Sequence, residues 1–479
     1  MKANKQKVLQ WIDDNQDQIV AFLRDLIKIP SVNPWFEEGE AGDKSVCHEG
    51  DAQRYIRAHM ESLGAEIDMW EPDVEHLRKY EGQPNFYDFH VFTDRPNLAA
   101  RLKGTGGGKS VLLMGHIDTV KVGSGWNHGP FSADLEDGVI YGRGAVDMKG
   151  GIASMIMAAE AILKSGLKLK GDICVGTVVD EETGGMGTLD FVDRGHRADV
   201  CIMTEATRQI IAPLCRGILW GNIIVEGRSG HIELPQKDWR DGGTVDAIRK
   251  ARLIMDAIDH LNEDWAKSKV HPLLKIPNQI IIGQINAGEW HSTFANKADM
   301  AFDIQYLPYE RDEVGGGSLV MKEFEDFIHA VAQTDPWLKE HPPKVTWTVN
   351  CDCGETPVDH EIVQLFLKNQ VEQGLPAVAE GCYFHTDMGW QEKVGIPVVN
   401  YGPGDPICAH QDNESVSVAD LIQCTKVMAL TIMDWCGIEE EILCFYTMSQ
   451  AARPRGEREY PPWCAGRLVR FIDNIVMLC

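Results

Sequence analysis

The chain has 479 residues, too many for one ordinary core, and its 44% hydrophobic and 25% charged residues are those of a soluble globular protein with two domains or a discontinuous pair. A formal net charge of −26 argues against nucleic-acid backbones and anionic membranes as partners and is compatible with binding cations. No apolar run reaches the ~18 residues needed to cross a bilayer, and thirteen scattered cysteines without a CxxC pair favour reduced thiols in the cytoplasm over a disulfide scaffold.

The N-terminal segment reads as an amphipathic helix with Leu9, Ile12, Ile19, Phe22 and Leu23 on one side, without the continuous apolar core and cleavage site of a signal peptide. A loop over 31–52, a helix over 52–63 and a short strand at 66–70 follow, and the polar stretch 71–95 reads as an insertion. Strands at 97–102 and 110–114 flank the glycine run 104–108, which reads as a hairpin turn because it lacks the Lys-Ser/Thr ending of a phosphate-binding loop. Gly115-His116-Ile117-Asp118 comes next; period-2 geometry puts His116 and Asp118 on one side if the strand continues.

A glycine-rich turn, 142–151, presents Asp147 just before an Ala/Met/Ile-rich helix. Buried strands at 172–179 and 200–203 end in Asp180-Glu181-Glu182 and Thr204-Glu205. Apolar strands ending in acids or histidine, with helices between them, describe an α/β sheet whose site gathers at the strands' carboxyl edge. Near Pro213 the texture changes to alternating strands (219–226, 280–285, 299–306, 344–349) with helices at 244–262 and 319–338, a β/α sandwich with an antiparallel sheet. Helix–strand alternation resumes with a helix at 361–372, a strand at 396–401, the loop that carries His410, and a helix over 418–435. The expected organisation is an outer domain (1–213 and 350–437), an inserted domain (214–349) and a C-terminal tail (438–479).

The collected ligand candidates are His116, Asp147, Glu182, Glu205 and His410. Two imidazoles and three carboxylates suit Zn²⁺, with Co²⁺ or Mn²⁺ as substitutes, and one shared Asp lets five residues serve a metal pair. Glu181 and Glu182 point different ways, so one can bind metal while the other moves a proton. Taken singly, each of these residues has a plain structural reading: a solvated acidic turn, a helix cap, a loop histidine.

Taken together, Gly115–Val120, Gly142–Gly151, Asp180–Gly185, Glu205 and the loop from Gly402 to His410 resemble the M20 metallopeptidases and deacylases, a family that includes acetylornithine deacetylase and succinyl-diaminopimelate desuccinylase. The resemblance implies a three-layer zinc-hydrolase-type catalytic domain with a lid domain that makes a homodimer. It implies one metal on His116, Asp147 and Glu205, another on Asp147, Glu182 and His410, Glu181 as general base, and Asp118 orienting the His116 imidazole. Ser229–Pro235 matches the lid motif, whose histidine, here His231, contacts the substrate carbonyl of a neighbouring subunit. The implied activity is removal of an acyl group from an N-acyl amino acid or related small amide by a metal-activated water, with a dinuclear-metal exopeptidase or dipeptidase as the alternative and a non-catalytic ligand binder as the third reading.

The chain departs from the family pattern in its lid. Ile232 and Glu233 replace the usual small residues after His231, and the Asp-x-Arg that grips a substrate carboxylate reads Asp303-Ile304-Gln305. Gln cannot make the bidentate clamp of Arg. Arg216, Arg228 or the backbone amides around Gly402–Gly404 are the candidates to take over an anionic end.

Overall fold

The computed structural model describes residues 2–37 and 43–439. In chain order the strands of its two main sheets are β1 (Glu66–Trp70), β2 (Asn97–Leu102), β3 (Val111–His116), β4 (Ile173–Val178) and β5 (Cys201–Met203), then β6 (Gly217–Glu226), β7 (Ile280–Ala287), β8 (Lys297–Tyr306) and β9 (Lys344–Cys351), and finally β10 (Val398–Asn400). A six-stranded sheet runs β1-β2-β4-β3-β5-β10, and a four-stranded sheet runs β7-β8-β6-β9. The second sheet is thus built from a continuous stretch of chain lying between two strands, β5 and β10, that are neighbours in the first.

β3 pairs in parallel with both β4 and β5, and β5 in parallel with β10. Their carboxyl ends therefore open onto the same edge: His116 closes β3 opposite Val178, the last residue of β4, and Met203 ends β5 one turn before Glu205. Both faces of these strands are buried, which is why they read as apolar runs. Alternate residues feed two different clusters, Leu113, Val175 and Ile202 on one face and Leu112, Cys174 and Cys201 on the other.

Helix α1 (Lys149–Lys164) lies against β3 and against the last described helix, Val418–Cys436, buried from Lys149 through Ile162. Its first turn runs so close to the end of β5 that a Cβ on Gly151 would sit 1.8 Å from the Thr204 carbonyl. Only glycine fits there, and the helix start is thereby pinned beside the carboxyl edge.

The two central strands of the four-stranded sheet, β6 and β8, are half-buried in strict alternation. One long helix, Ala247–Ser268, covers it with Ala251, Ile254, Ile258 and Trp265; a second, Ser318–Ala332, adds Val320, Phe324 and Ile328. Phe302 of β8 packs on Phe324 and Trp347 with ring centroids 5.0 and 5.1 Å apart.

Two sequence expectations are corrected. Gly104–Gly108 is no hairpin turn, because β4 lies between β2 and β3 and pairs with each. The N-terminal helix is two helices, Lys2–Asp14 and Gln16–Ile27, broken at Asn15. The expected tail lies outside the described residues from 440 onward.

Candidate active site and metal centre

The carboxyl edge of the six-stranded sheet brings His116, Asp147, Glu181, Glu182, Glu205 and His410 together. His116 Nε2 lies 3.2 Å from Asp147 Oδ1 and 3.6 Å from Glu205 Oε1. His410 Nε2 lies 3.2 Å from Asp147 Oδ2 and 3.1 Å from Glu182 Oε2. The Asp147 carboxylate is therefore divided, one oxygen facing each set. These separations are those of donors around a metal ion with bonds of about 2.0–2.2 Å, and the buried Glu182 Oε1 has no hydrogen-bond partner. The donor set and this unpartnered oxygen fit a pair of divalent ions.

Each of these side chains is held by its local backbone. The Arg143–Glu414 ion pair, 2.6 Å long and 1% exposed at both ends, fixes the turn before α1. Glu414 Oε1 accepts from the backbone N–H of Val146 and of Asp147 at 2.9 and 3.0 Å. Buried Lys149, its pKa lowered to about 7 by burial, donates to the carbonyls of Leu26 and Ile29 and ties the helix start to the N-terminal segment.

Asp118 acts on two neighbours. The His116 ring bonds through Nδ1 to the Asp118 backbone carbonyl at 3.0 Å, while Asp118 Oδ1 is 3.6 Å away. The Asp118 carboxylate instead accepts from Asn33 Nδ2 at 2.9 Å and from the backbone N–H of Glu181 and Glu182 at 3.3 and 3.2 Å. One residue thus orients the imidazole with its main chain and the glutamate turn with its side chain.

That turn begins at Asp180 in the left-handed region, φ 75°, a conformation that an aspartate holds only when its surroundings impose it. His90 Nδ1 at 2.7 Å and Arg95 Nη2 at 3.0 Å supply the constraint. Burial pushes the Asp180 carboxyl up, and these two cations bring it well below the usual carboxylate range. Both come from the stretch 71–95, which the sequence presents as an irregular insertion. A lone His and Arg in a polar stretch give no spacing to read.

Glu181 is turned the other way from Glu182, its Oε2 3.8 Å from His116 Nε2. Burial first, then repulsion from Asp387, Glu205 and Glu182, holds its carboxyl well above the ordinary range, against the pull of His116. Glu205 is pushed up to about 8, chiefly by burial. His410, half-exposed at the mouth, is raised to about 11, first by Glu182 and then by Asp147 against burial.

A cavity of about 490 Å³ opens onto this edge and is closed opposite by Ile218, Trp220, Asp303 and Gln305 from β6 and β8. Tyr383, Phe384 and His385, from a loop that no sequence motif singled out, form a further wall. Gln305 Oε1 accepts from Arg216 Nη1 at 2.8 Å, and Asp303 Oδ2 accepts from Trp220 Nε1 at 2.7 Å. Arg228 donates to the carbonyls of Trp239 and Gly243 and lines no part of the cavity, and the amides of Gly402–Gly404 do not line it either. His231 is exposed in the segment after β6, bridged to Thr293, and is absent from its own chain's cavity.

Residues 112–434 match the profile of Peptidase family M20/M25/M40. The N-formyl-4-amino-5-aminomethyl-2-methylpyrimidine deformylase of Halalkalibacterium halodurans is 28% identical over 460 residues, covering 91% of this chain and 98% of that protein. The acetylornithine deacetylase of Myxococcus xanthus is 27% identical over 348 residues, 72% of this chain and 85% of that one. Among solved structures, the di-peptidase Dug1p of Saccharomyces cerevisiae shares the fold at a TM-score of 0.70 and 16% identity, with 91% of this chain and 99% of that one covered. The sheet edge, its motifs in order and these matches agree: the chain belongs to peptidase family M20/M25/M40 and is a hydrolase of amide bonds.

Proposed function

We propose that this protein is a two-metal amidohydrolase that removes a short acyl group from a small amide. The observation that carries the reading is the divided Asp147 carboxylate, with one oxygen toward His116 and Glu205 and the other toward Glu182 and His410, beside a Glu181 that neither set claims. Members of the family depend on a dinuclear metal centre. His116, Asp147 and Glu205 would hold one ion and Asp147, Glu182 and His410 the other; the mixed N/O donors favour Zn²⁺, with Co²⁺ or Mn²⁺ as substitutes. Bound there, the ions would supply Lewis acidity toward the carbonyl oxygen and toward the attacking water.

The protein's own groups do the rest. Glu181, with its raised proton affinity, accepts a proton from the attacking water and returns it to the departing nitrogen as the tetrahedral adduct collapses. Asp118 keeps Glu181 in place through the turn's N–H groups. The walls keep the acyl end against the carboxyl edge and the amine end against β6 and β8.

The amine end decides the substrate. An N-acyl amino acid, the substrate expected from the sequence, needs a cation for its carboxylate, but Gln305 is uncharged, Arg216 is committed to it, and Asp303 adds a half-buried carboxylate beside the aromatic faces of Trp220, Tyr383 and Phe384. These walls favour a planar amine with hydrogen-bond donors, in keeping with the N-formylated aminopyrimidine named for the Halalkalibacterium relative. N-acyl amino acids and dipeptides share the chemistry and differ in what the cavity must grip. Turnover of an N-formyl aminomethylpyrimidine, N-acetyl amino acids and dipeptides by the Zn²⁺- or Co²⁺-loaded protein separates them. The formyl aminopyrimidine is expected to lead by tenfold or more in kcat/KM; a lead for carboxylate-bearing amides reverses the assignment of the amine, and no turnover on any amide defeats the deacylase reading.

We also assign 1–213 with 350–437 as the catalytic domain and 214–349 as a lid through which two copies pair. The edge strand β7 supports this, with Ile281 and Ile285 exposed along it, as does His231 facing away from its own cavity and free to enter a partner's. Light scattering should give a dimer mass. Ten free cysteines among the described residues, eight of them buried, support a reducing compartment such as the cytoplasm. Among the described residues no helix is long and apolar enough to cross a membrane.

A further inference from the structure

The loop from Tyr383 to Asp387 brings an imidazole and a carboxylate to Glu181. One ligand-type atom each from Glu181, His385 and Asp387 lies within 4.8 Å of the others, and His385 Nε2 is 3.7 Å from Asp387 Oδ1. His385 is buried, its side chain 6% exposed, yet neither ring nitrogen has a hydrogen-bond partner, and Asp387 Oδ1 has none either. The other Asp387 oxygen accepts from Thr188 Oγ1 at 2.5 Å, so the carboxylate is fixed with its free oxygen toward the imidazole. Leaving such groups unpaired in an interior is costly, and their separation is too long for a direct hydrogen bond.

A metal ion would engage one ring nitrogen of His385 and the free oxygen of Asp387 at once. The spacing is that of donors sharing a cation rather than a proton, and one imidazole with two carboxylates is the same donor chemistry as the two sets that share Asp147. Neither His385 nor Asp387 belongs to those sets.

We propose that Glu181, His385 and Asp387 form a third divalent-cation site, filled after the Asp147 pair, whose occupancy shuts the enzyme down. The inference rests on Glu181 as the base. With its carboxylate committed to a cation, Glu181 no longer accepts a proton from the attacking water, and excess metal becomes an inhibitor acting at the base itself. His385 and Glu181 both line the cavity, so the site fills from solvent through the substrate's own entrance.

The test is a metal count on the full-length protein, stripped with chelator and dialysed against buffered Zn²⁺ at rising free concentration, with Co²⁺ absorption as a second readout. The wild type is expected to bind a third equivalent at free Zn²⁺ at least tenfold above that filling the first two, with amidase activity falling as the third enters. His385→Ala and Asp387→Asn should stop at two; Asp387→Asn keeps the side-chain volume and guards against a folding defect in the other variant. Saturation of the wild type at two overturns the third site and leaves the paired centre standing. A third equivalent that persists in both variants also overturns it, by placing that ion elsewhere. Fewer than two in the wild type defeats the paired centre as well.

Discussion

The outer domain and the inserted sheet meet at one cavity but hold their polar groups in different ways. On the catalytic side Asp147, His116 and the glutamate turn are backed by buried partners, and those partners are paired in turn: Arg143 on Glu414 beneath Asp147, Arg95 and His90 on Asp180 beneath the glutamate turn, Asn33 on Asp118. On the lid side the same cavity meets three polar side chains of two strands, Trp220, Asp303 and Gln305, bonded mainly to one another and to Arg216. A metal centre tolerates little displacement, so its support is deep; a surface that chooses among amines can change with a single side chain.

The sharpest way to break this contrast is at the base. Glu181→Gln should lower kcat by about 10²–10⁴-fold, the usual contribution of a general acid–base, with bound metal at the first two equivalents and thermal stability nearly unchanged. A variant of near wild-type activity would move the base elsewhere.

Next is the support beneath Asp147. Glu414→Leu leaves buried Arg143 without its carboxylate, donating only to the carbonyls of Gln411 and Lys121, and frees two backbone N–H groups, a loss of about 3–5 kcal/mol in unfolding free energy, with metal affinity down by about 10–100-fold. The double change with Arg143→Met should recover much of the stability but not the metal affinity. Equal recovery of both would mean that the pair serves folding alone.

On the lid side the expected effects are smaller and confined to selectivity. Gln305→Arg should shift kcat/KM toward carboxylate-bearing amides by about tenfold or more, since a hydrogen bond to a charged group is worth about 1.5–3 kcal/mol. The change should appear in KM, with kcat and metal content steady. An equal fall for every substrate would show that the lid is as tightly coupled to the chemistry as the outer domain.

The smallest effect lies away from both. Burial raises Asp190 to about 6 from its ordinary 3.8, against hydrogen bonds from Trp70 and Asn97. Between those values the folded protein binds a proton that the unfolded chain has released, so this contribution to stability is complete below pH ~4 and is lost as pH rises through about 6. Asp190→Asn should therefore gain on the wild type in urea unfolding as pH goes from 4 to 7. A difference that stays flat over that range would assign the shift to another group.

What the sequence made legible follows the same division. The five proposed ligands, the proposed base and Asp118 are visible because each follows an apolar strand or a glycine turn, where local geometry dictates what a side chain faces. The strand at 97–102 and the helix at 361–372 match the observed β2 and the helix Glu361–Glu372 for the same reason. The order of strands was not legible: β4 slips between β2 and β3 because a parallel partner can come from far along the chain, and a glycine run does not disclose whether its flanking strands touch. Nor were His90, Arg95, Asn33 and His385, whose partners lie far away in sequence and leave no period behind.

The pairing of β5 with β10 has a consequence in time. Val398 lies beside Cys201, and the whole inserted sheet must be threaded between them before that ladder can close. Closing so long a loop is slow relative to local pairing, and His410 lies beyond the closing strand. During synthesis the inserted sheet can leave the ribosome and fold while the edge it faces is still missing its last ligand. His116, Asp147 and Glu205 all precede that sheet, so the set proposed around His116 is complete in the chain before the insert is made, while the set shared with Glu182 waits for His410.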